Sequence, residues 1–365
     1  MALIDFKVLP GIDKQDTASG AEFRWIDCDN TRFRYGLPEK VGGWSSLVTD
    51  TIVGVARREF AFVDLDGNRY VAIGTDKFLL IYFEGQLYDI TPLKTTLTSA
   101  TIATTNTSAI CSITTGTNHN LSVGDIVLLD TVTLPVGTGY VDADFENKLF
   151  QVTSITSATV FTITQSTAAT ATVGTGGSLS VKPYEQVGPA EQSYGYGWGI
   201  DTWSSGKWGE AASASDVSLE PGLWSLSNFG QVLVATIANG KTFTWNAGDA
   251  ARLTTRASTA TSGFETTNNP TATRITLVSP TTRHLIHLGT ETTIGDPTTQ
   301  DDMFIRFSDQ EDINDYVPTA INSAGSQRLQ DGTRIIGALK AKESILVWTD
   351  NALYTMKFIG APFTF

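Results

Sequence analysis

This chain of 365 residues contains very little cysteine and histidine. Its two cysteines, Cys28 and Cys111, cannot build a disulfide framework, and they lack the CxxC spacing of a metal or redox site. We therefore expect assembly in a reducing compartment. With three histidines and no GxSxG motif, a Ser-His-Asp triad has few possible members.

Long apolar runs are also missing. The longest aromatic and aliphatic run, 78–83, is far too short to span a bilayer. The opening MALIDFKVLPGID carries Asp5 where a cleavable signal would be apolar. We therefore expect a soluble chain that does not insert into a membrane.

Three segments imitate ligand-binding loops without completing them. The segment 235–242, ATIANGKT, has Ala235 where a phosphate-binding loop needs its first glycine, and its Asn-Gly pair between apolar runs predicts a hairpin. DLDGN at 64–68 lacks the closing acid of a calcium loop and predicts a turn. The glycines at 195, 197 and 199 miss the dinucleotide spacing, so no cofactor is predicted.

The histidines do not form a metal motif. His284 and His287 lie three residues apart in a predicted strand, which puts them on opposite faces. His119 stands alone at an NHN turn. We predict histidines that are either buried with hydrogen-bond partners or exposed, and no metal site.

A group of acidic residues leaves a hydrolase hypothesis open, because paired carboxylates are the machinery of glycosidases. The group is Asp301, Asp302, Asp309, Glu311, Asp312 and Asp315. No Asp-box motif accompanies them, and acidic loop residues are usually solvated. We therefore predict no enzyme activity, with a propeller glycosidase as an alternative.

The formal net charge of −13 opposes tight binding to nucleic acid, because phosphate contacts require Lys and Arg. The early part of the chain holds a concentration of basic residues, Arg24, Arg32, Arg34, Lys40, Arg57 and Arg58. In strands such alternating charges usually form a solvated face.

The abundance of Thr, Val, Ile and aromatic residues predicts an all-β protein. Four segments each contain an apolar strand, a polar turn and a second strand: 69–91, 231–246, 283–291 with 301–309, and 344–358. Their first apolar strands begin near 232, 284 and 345, a spacing close to the roughly 50 residues of kelch-like blades. This pattern predicts a β-propeller-like fold, and a β-sandwich of the same hairpins is the alternative.

Composition divides the chain into three regions. Residues 1–93 are predicted to begin the propeller, and 182–365 to complete it. Between them, 94–181 is rich in Thr and Ser and carries its own strands at IVLLD, KLFQVTSI and VFTIT, which predicts an inserted small β-barrel or sandwich.

A Gly- and Trp-rich loop at 194–210 follows the insert. Its aromatic residues are Tyr194, Tyr196, Trp198, Trp203 and Trp208. Such rings favour partner interfaces, where one end is apolar and the other is wet. The alternatives, left open, are an interface with another subunit and a lid over the chain's own sheet.

Two stretches resemble a known family of virion proteins. They are FRWIDCDNTRFRYGLPEKVGGW from Phe23 to Trp44, with predicted turns at 29–30 and 36–38, and FSDQEDINDYVPTAINSAGSQRLQDGTRIIGALK from Phe307 to Lys340. Both are similar to the tail nozzle proteins, or packaged-DNA stabilisation proteins, of short-tailed phages. HNLSVGDIVLLD with FQVTSITSATVFTIT also resembles small barrel modules that decorate phage tail proteins.

This resemblance implies a structural subunit of the virion tail, assembled in the host cytoplasm. It implies a ring, a hexamer in the family, that forms part of the DNA-ejection channel and helps to retain the packaged genome. The implied partners are copies of itself, the head-to-tail adaptor, fibre, spike or plug proteins, and genomic DNA held transiently without sequence specificity.

The resemblance also implies further β-units beyond GAPFTF at 360–365. We expect either a longer subunit or neighbouring subunits that close the series. A receptor- or glycan-binding tail protein is the alternative function.

The aromatic loop gives the first test. Replacing Trp198, Trp203 and Trp208 together by Ala is expected to leave the circular dichroism spectrum unchanged and to block incorporation into virions, because one buried Trp contributes about 2 kcal/mol to an interface. Collapse of the fold identifies the loop as an intrachain lid. If folding and incorporation both survive, the interface hypothesis is wrong.

Overall fold

The computed structural model describes residues 8–46, 48, 50–192, 220–258, 269–360 and 365. The chain divides into two compact units, Met1–Thr49 and Asp50–Phe365. Regular structure in the described residues is β-strand, apart from two single-turn 3-10 helices at Asp142–Asp144 and Pro297–Thr299. The all-β prediction is confirmed.

The smaller unit contains two pairs of short strands. Strand β1 (Leu9–Ile12) pairs in parallel with β2 (Arg24–Trp25), and β3 (Thr31–Arg34) pairs antiparallel with β4 (Leu37–Lys40).

The turn predicted at 36–38 is wrong in position. Tyr35 and Gly36 form the turn, with φ of 50° and 81°, and Pro38 lies inside β4 opposite Phe33. A two-residue hairpin needs positive φ at both central residues, which Gly36 adopts without strain. Proline is tolerated here because a two-stranded ribbon leaves one edge without ladder bonds.

Four antiparallel up-and-down sheets occupy the larger unit. The first sheet has β5 (Ala56–Val63), β6 (Arg69–Thr75), β7 (Leu79–Phe83) and β8 (Gln86–Asp89). The second sheet, after the inserted barrel, has β15 (Trp224–Phe229), β16 (Val232–Ile237) and β17 (Thr242–Asn246). The third sheet has β18 (Thr273–Val278), β19 (Leu285–Thr290), β20 (Phe304–Phe307) and β21 (Gly325–Arg328), and the fourth has β22 (Ile335–Lys340), β23 (Ile345–Thr349) and β24 (Leu353–Met356).

The insert is a closed barrel of six antiparallel strands, confirming the predicted small β-domain. Its strands are β9 (Leu97–Thr104), β10 (Ile110–Thr114), β11 (Ile126–Thr133), β12 (Lys148–Ser157), β13 (Val160–Thr164) and β14 (Val173–Pro183). The three strands expected from sequence correspond to β11, β12 and β13. The domain boundaries predicted at 93 and 181 stay predictions.

The predicted repeats correspond to the later strands of each sheet, except that they do not include β21 of the third sheet. Every sheet also has a preceding strand that the repeat pattern did not include, namely β5, β15, β18 and β22. Within the larger unit these first strands contact one another in series, β5 with β15, β15 with β18, and β18 with β22. Sheets arranged in succession around such first strands form a β-propeller-like fold.

The first and second sheets bury a core that contains Tyr70 and Trp245 with rings in edge contact at 5.6 Å. Trp224 lies against the backbone of Gly74, and its indole N–H donates to the carbonyl of Thr75 at 2.9 Å. A side chain at position 74 would therefore collide with the indole.

The barrel covers the other face of the first sheet. Ile126 and Leu128 project outward from β11 and pack with Phe78 and Leu80 of that sheet. A polar contact reinforces the junction: the Tyr184 hydroxyl donates to Asp89 at 2.7 Å, and Arg256 donates to both groups. Burial and the charge of Asp89 raise the pKa of Tyr184, so its hydroxyl remains a donor.

The Trp224 contact generates a prediction. In Gly74→Ala the new Cβ would lie 2.6 Å from Trp224 Cδ1, and overpacking of this kind costs about 1–3 kcal/mol. We expect a lower urea midpoint for this variant. Gly116→Ala, where nothing lies within 4 Å of the added Cβ, is the matched control. Equal midpoints for the two variants would contradict the packing.

Candidate assembly surface

The fourth sheet presents two different faces. Ile335, Ile345 and Val347 point toward the third sheet and are buried. Because successive side chains of a strand alternate between faces, their neighbours point the other way. We define the outer face of the fourth sheet by Leu339, Leu346, Trp348 and Leu353.

Cross-strand pairing makes the outer face continuous. Leu339 lies opposite Leu346 across β22 and β23, and Trp348 lies opposite Leu353 across β23 and β24. Leu339 is 59% exposed, Leu353 55% and Trp348 36%. Contiguous apolar surface rimmed by polar residues marks interaction sites on soluble proteins.

The other three sheets bury apolar residues on both faces. The first packs between the barrel and the second sheet, and the second packs between the first and the third. The third packs between the second and the fourth. Within the described part of the chain, the outer face of the fourth sheet has no comparable cover.

The free edge of the fourth sheet lies beside this face. Strand β24 pairs with β23, and no described strand pairs with its other side. An edge of unpaired N–H and C=O groups is a template for pairing with another chain. The outer face and this edge together form the candidate assembly surface.

This surface was not predicted from the sequence, where the aromatic loop at 194–210 was the predicted interface. The available signal was the run ILVWT in β23, which is apolar on both faces, whereas a half-buried strand alternates with polar residues. The predicted interface residues Tyr194, Tyr196, Trp198, Trp203 and Trp208 lie outside the described residues.

Each of the three histidines makes hydrogen bonds within the fold. His287 is fully buried, with Nδ1 3.0 Å from Thr273 Oγ1 and Nε2 2.9 Å from the Tyr316 hydroxyl. His284 contacts Thr282 and Ser323, and His119 accepts from the Leu121 N–H at 2.9 Å. No cluster of His, Cys, Asp or Glu suited to a metal ion occurs in the described ranges.

The acidic residues proposed for a glycosidase hold turns and ion pairs. Asp301 pairs with Arg328 at 2.6 Å, and Glu311 with Arg283 at 3.1 Å. Asp309 accepts two hydrogen bonds from Ser323, which lower its pKa although burial opposes them.

The remaining acids of this group act in the same way. Asp312 accepts from the Asn314 N–H at 2.8 Å, and Asp315 accepts from Asn322 at 2.8 Å. Asp302 lies 3.8 Å from Arg274. The group is thus spread over several local contacts.

Two of the three segments that imitated ligand motifs are turns, as predicted, and the glycines at 195, 197 and 199 lie outside the described residues. β16 and β17 form the expected hairpin, with Asn239 at φ 59°. In 64–68, Asp64 accepts from the N–H groups of Asp66 and Asn68, at 2.9 and 2.8 Å. Both cysteines are free thiols, and Cys111 is buried in the barrel. The described residues include no helix of sufficient length and hydropathy to cross a membrane.

The chain has little similarity to known proteins. No family model and no curated protein matches the chain. Among solved structures it is similar to one named phage phi92 endosialidase, at 14% identity and a TM-score of 0.24. The match covers 77% of this chain and 39% of that protein, so the chain spans about two fifths of its length. A TM-score this low assigns neither fold nor function.

His287 generates an acid-stability prediction. Burial, with the nearby charge of Arg306, lowers its pKa from 6.5 to about 3. Between these values the unfolded chain binds a proton that the folded chain does not, so stability falls as pH falls below 6.5. The contribution approaches about 1.4 kcal/mol per pH unit.

The measurement is the free energy of unfolding at pH 5 to 7 for the wild type and for His287→Gln. We expect a flatter pH dependence in the variant, whatever its stability at pH 7. Identical slopes of unfolding free energy against pH in the two proteins would show that folding does not lower the pKa of His287. His119→Gln, which changes a histidine of the barrel, controls for general effects of the substitution.

Proposed function

We propose that the protein is a structural subunit of a phage tail that assembles with copies of itself into a ring. The observation that carries the proposal is the candidate assembly surface. In each of the first three sheets both apolar faces are covered by the barrel or by a neighbouring sheet. A neighbouring subunit is the occupant that would cover the candidate assembly surface. Exposed apolar surface of this kind makes an isolated subunit less soluble than an assembled one.

Within that class we propose the tail nozzle, a ring around the channel through which the genome leaves. The resemblance of Phe23–Trp44 and Phe307–Lys340 to nozzle proteins supports this role. The second stretch runs from the end of β20 through β21 and β22, and its Ile313 and Tyr316 fill the core between the second and third sheets. It therefore belongs to the framework that sets the spacing of the sheets.

The charge of the chain fits a channel that releases DNA. A net charge of −13 does not favour contacts with phosphates, so DNA slides along an acidic wall without being held by it. Retention of the genome would then depend on a closed constriction built by the ring and its partners. The proposed partners are the head-to-tail adaptor and fibre, spike or plug proteins.

The assembly surface gives a direct test. In Leu339→Lys with Leu353→Lys, two exposed leucines become charged, so folding should be unaffected while the apolar contact between subunits is lost. We expect the wild type to form rings and the double variant to sediment as a monomer with an unchanged melting temperature. Sedimentation velocity and electron microscopy of the purified full chain measure this.

The matched control is Val136→Lys with Leu149→Lys, which charges two exposed apolar residues of the barrel. We expect this control to assemble like the wild type. Rings formed by the Leu339 and Leu353 double variant, or a wild type that stays monomeric at the same concentration, would refute the proposed surface. Glycan cleavage that Asp309→Asn or Asp312→Asn abolishes would favour the glycosidase alternative.

A further inference from the structure

The first strands of the sheets bring their beginnings to one end of the larger unit. The side chain of Ser225 in β15 bonds to the backbone of Thr276 in β18, and Ser227 bonds to that of Val278 two residues further. Moving two residues forward in β15, from Ser225 to Ser227, moves the contact two residues forward in β18. The two strands therefore run side by side in the same direction. Residues at their starts therefore lie close together.

A pocket of about 240 Å³ opens at this end, between β5, β15, β18 and β22. Charged residues from different strands surround it. Arg58 comes from β5, Arg274 is the second residue of β18, and Glu220 precedes β15. Arg334, immediately before β22, reaches the same carboxylate. We call this cavity the axial pocket.

Glu220 is held between two guanidinium groups. Arg274 donates to both of its oxygens, at 3.1 and 2.8 Å, and Arg334 donates at 2.6 Å. Burial raises the pKa of Glu220, but these hydrogen bonds and charges outweigh it, so the pKa lies below its usual range. The site therefore already binds one carboxylate through charge-assisted hydrogen bonds from two guanidinium groups.

Arg58 lines the same pocket, and among the described residues no carboxylate pairs with it. Lys340 lies nearby, with Nζ 3.0 Å from Ser227 Oγ and 5.9 Å from the centre of the Phe60 ring. Burial and the charge of Arg58 lower the pKa of Lys340. Among the described residues four cations thus share this region with two carboxylates, Glu220 and Asp302, in a chain whose net charge is −13.

Apolar groups complete the walls of the pocket. Leu223 and Ile336 line it and are both partly open to solvent, and Trp224 closes the side toward the first sheet. Small-molecule sites commonly combine apolar walls with a few convergent polar groups. The volume lies below the roughly 300–1,000 Å³ of drug-sized pockets, so the ligand would be about one sugar or one amino acid in size.

We propose that the axial pocket binds a small carboxylate ligand through Arg58, Arg274 and Arg334, and that Glu220 is the internal carboxylate that competes with it. A carboxylate ligand can bind Arg58 without displacing the side chain of any described acidic residue. To reach the other two arginines it displaces Glu220. The charged groups of this site are separate from the assembly surface, because neither the three arginines nor Glu220 belongs to the outer face of the fourth sheet.

Glu220→Gln is the sharpest variant. It keeps the shape of the side chain and removes the competing charge, so we expect binding about tenfold tighter than in the wild type, equivalent to about 1.4 kcal/mol. Arg58→Ala removes the cation that no described carboxylate pairs with, and it is expected to weaken binding about tenfold. Arg58 is exposed, so this variant should fold normally.

Titration calorimetry of the full chain with D-glucuronate, N-acetyl-glutamate, D-glucose and inorganic phosphate measures the affinity. Binding of either carboxylate, and not of glucose, supports the proposal, and the tighter of the two identifies a sugar acid or an amino acid as the source. Arg283→Ala, which removes an exposed arginine paired with Glu311 elsewhere, is the control and should bind like the wild type.

Three results would overturn the site. One is the absence of carboxylate binding in both the wild type and Glu220→Gln. Another is tighter binding of phosphate than of either carboxylate. The last is an equal loss of affinity in Arg58→Ala and Arg283→Ala, which would indicate a general charge effect. Unchanged melting temperatures of the variants without ligand separate these outcomes from misfolding.

Discussion

The fold depends on the need to cover both faces of sheets whose strands are apolar on each side. In the first sheet Tyr70 faces the second sheet while Leu80 faces the barrel, so neither face can be left in water. Burying apolar area is the dominant favourable term in folding. Stacking one sheet on another buries the apolar area of both faces. Trp224 fixes one such junction, because its indole fills the space that Gly74 leaves open.

The same constraint explains where the functional surfaces lie. Among the described residues the fourth sheet packs against one other sheet, and its outer face around Trp348 is the surface on which assembly would act. The first strands lie side by side, and the pocket between them holds charged side chains that cannot enter an apolar core. Arg274 and Glu220 occupy that region as an ion pair. One packing rule thus produces an apolar outer surface and a polar axial pocket.

The interface between the second and third sheets departs from this rule. It contains hydrogen-bonded hydroxyls, with Thr236 Oγ1 2.7 Å from that of Thr276, and the buried His287 bonded to Thr273 and Tyr316. Buried polar groups are stable only when they are fully hydrogen-bonded. Such a network specifies how the two sheets align, and it makes this junction sensitive to protonation of its histidine.

The sequence by itself determined the all-β class, the hairpins and three barrel strands, because alternating apolar residues and the Asn-Gly turn at 239–240 act locally. It did not determine β9, β10 and β14, whose Thr, Ser and Gly become strands through pairing around a closed barrel. It also missed the Tyr35–Gly36 turn. Only tertiary structure decided that Arg58, Glu220, Arg274 and Arg334 share one pocket. These residues are up to 276 positions apart, and no local pattern encodes a meeting that depends on how the sheets stack.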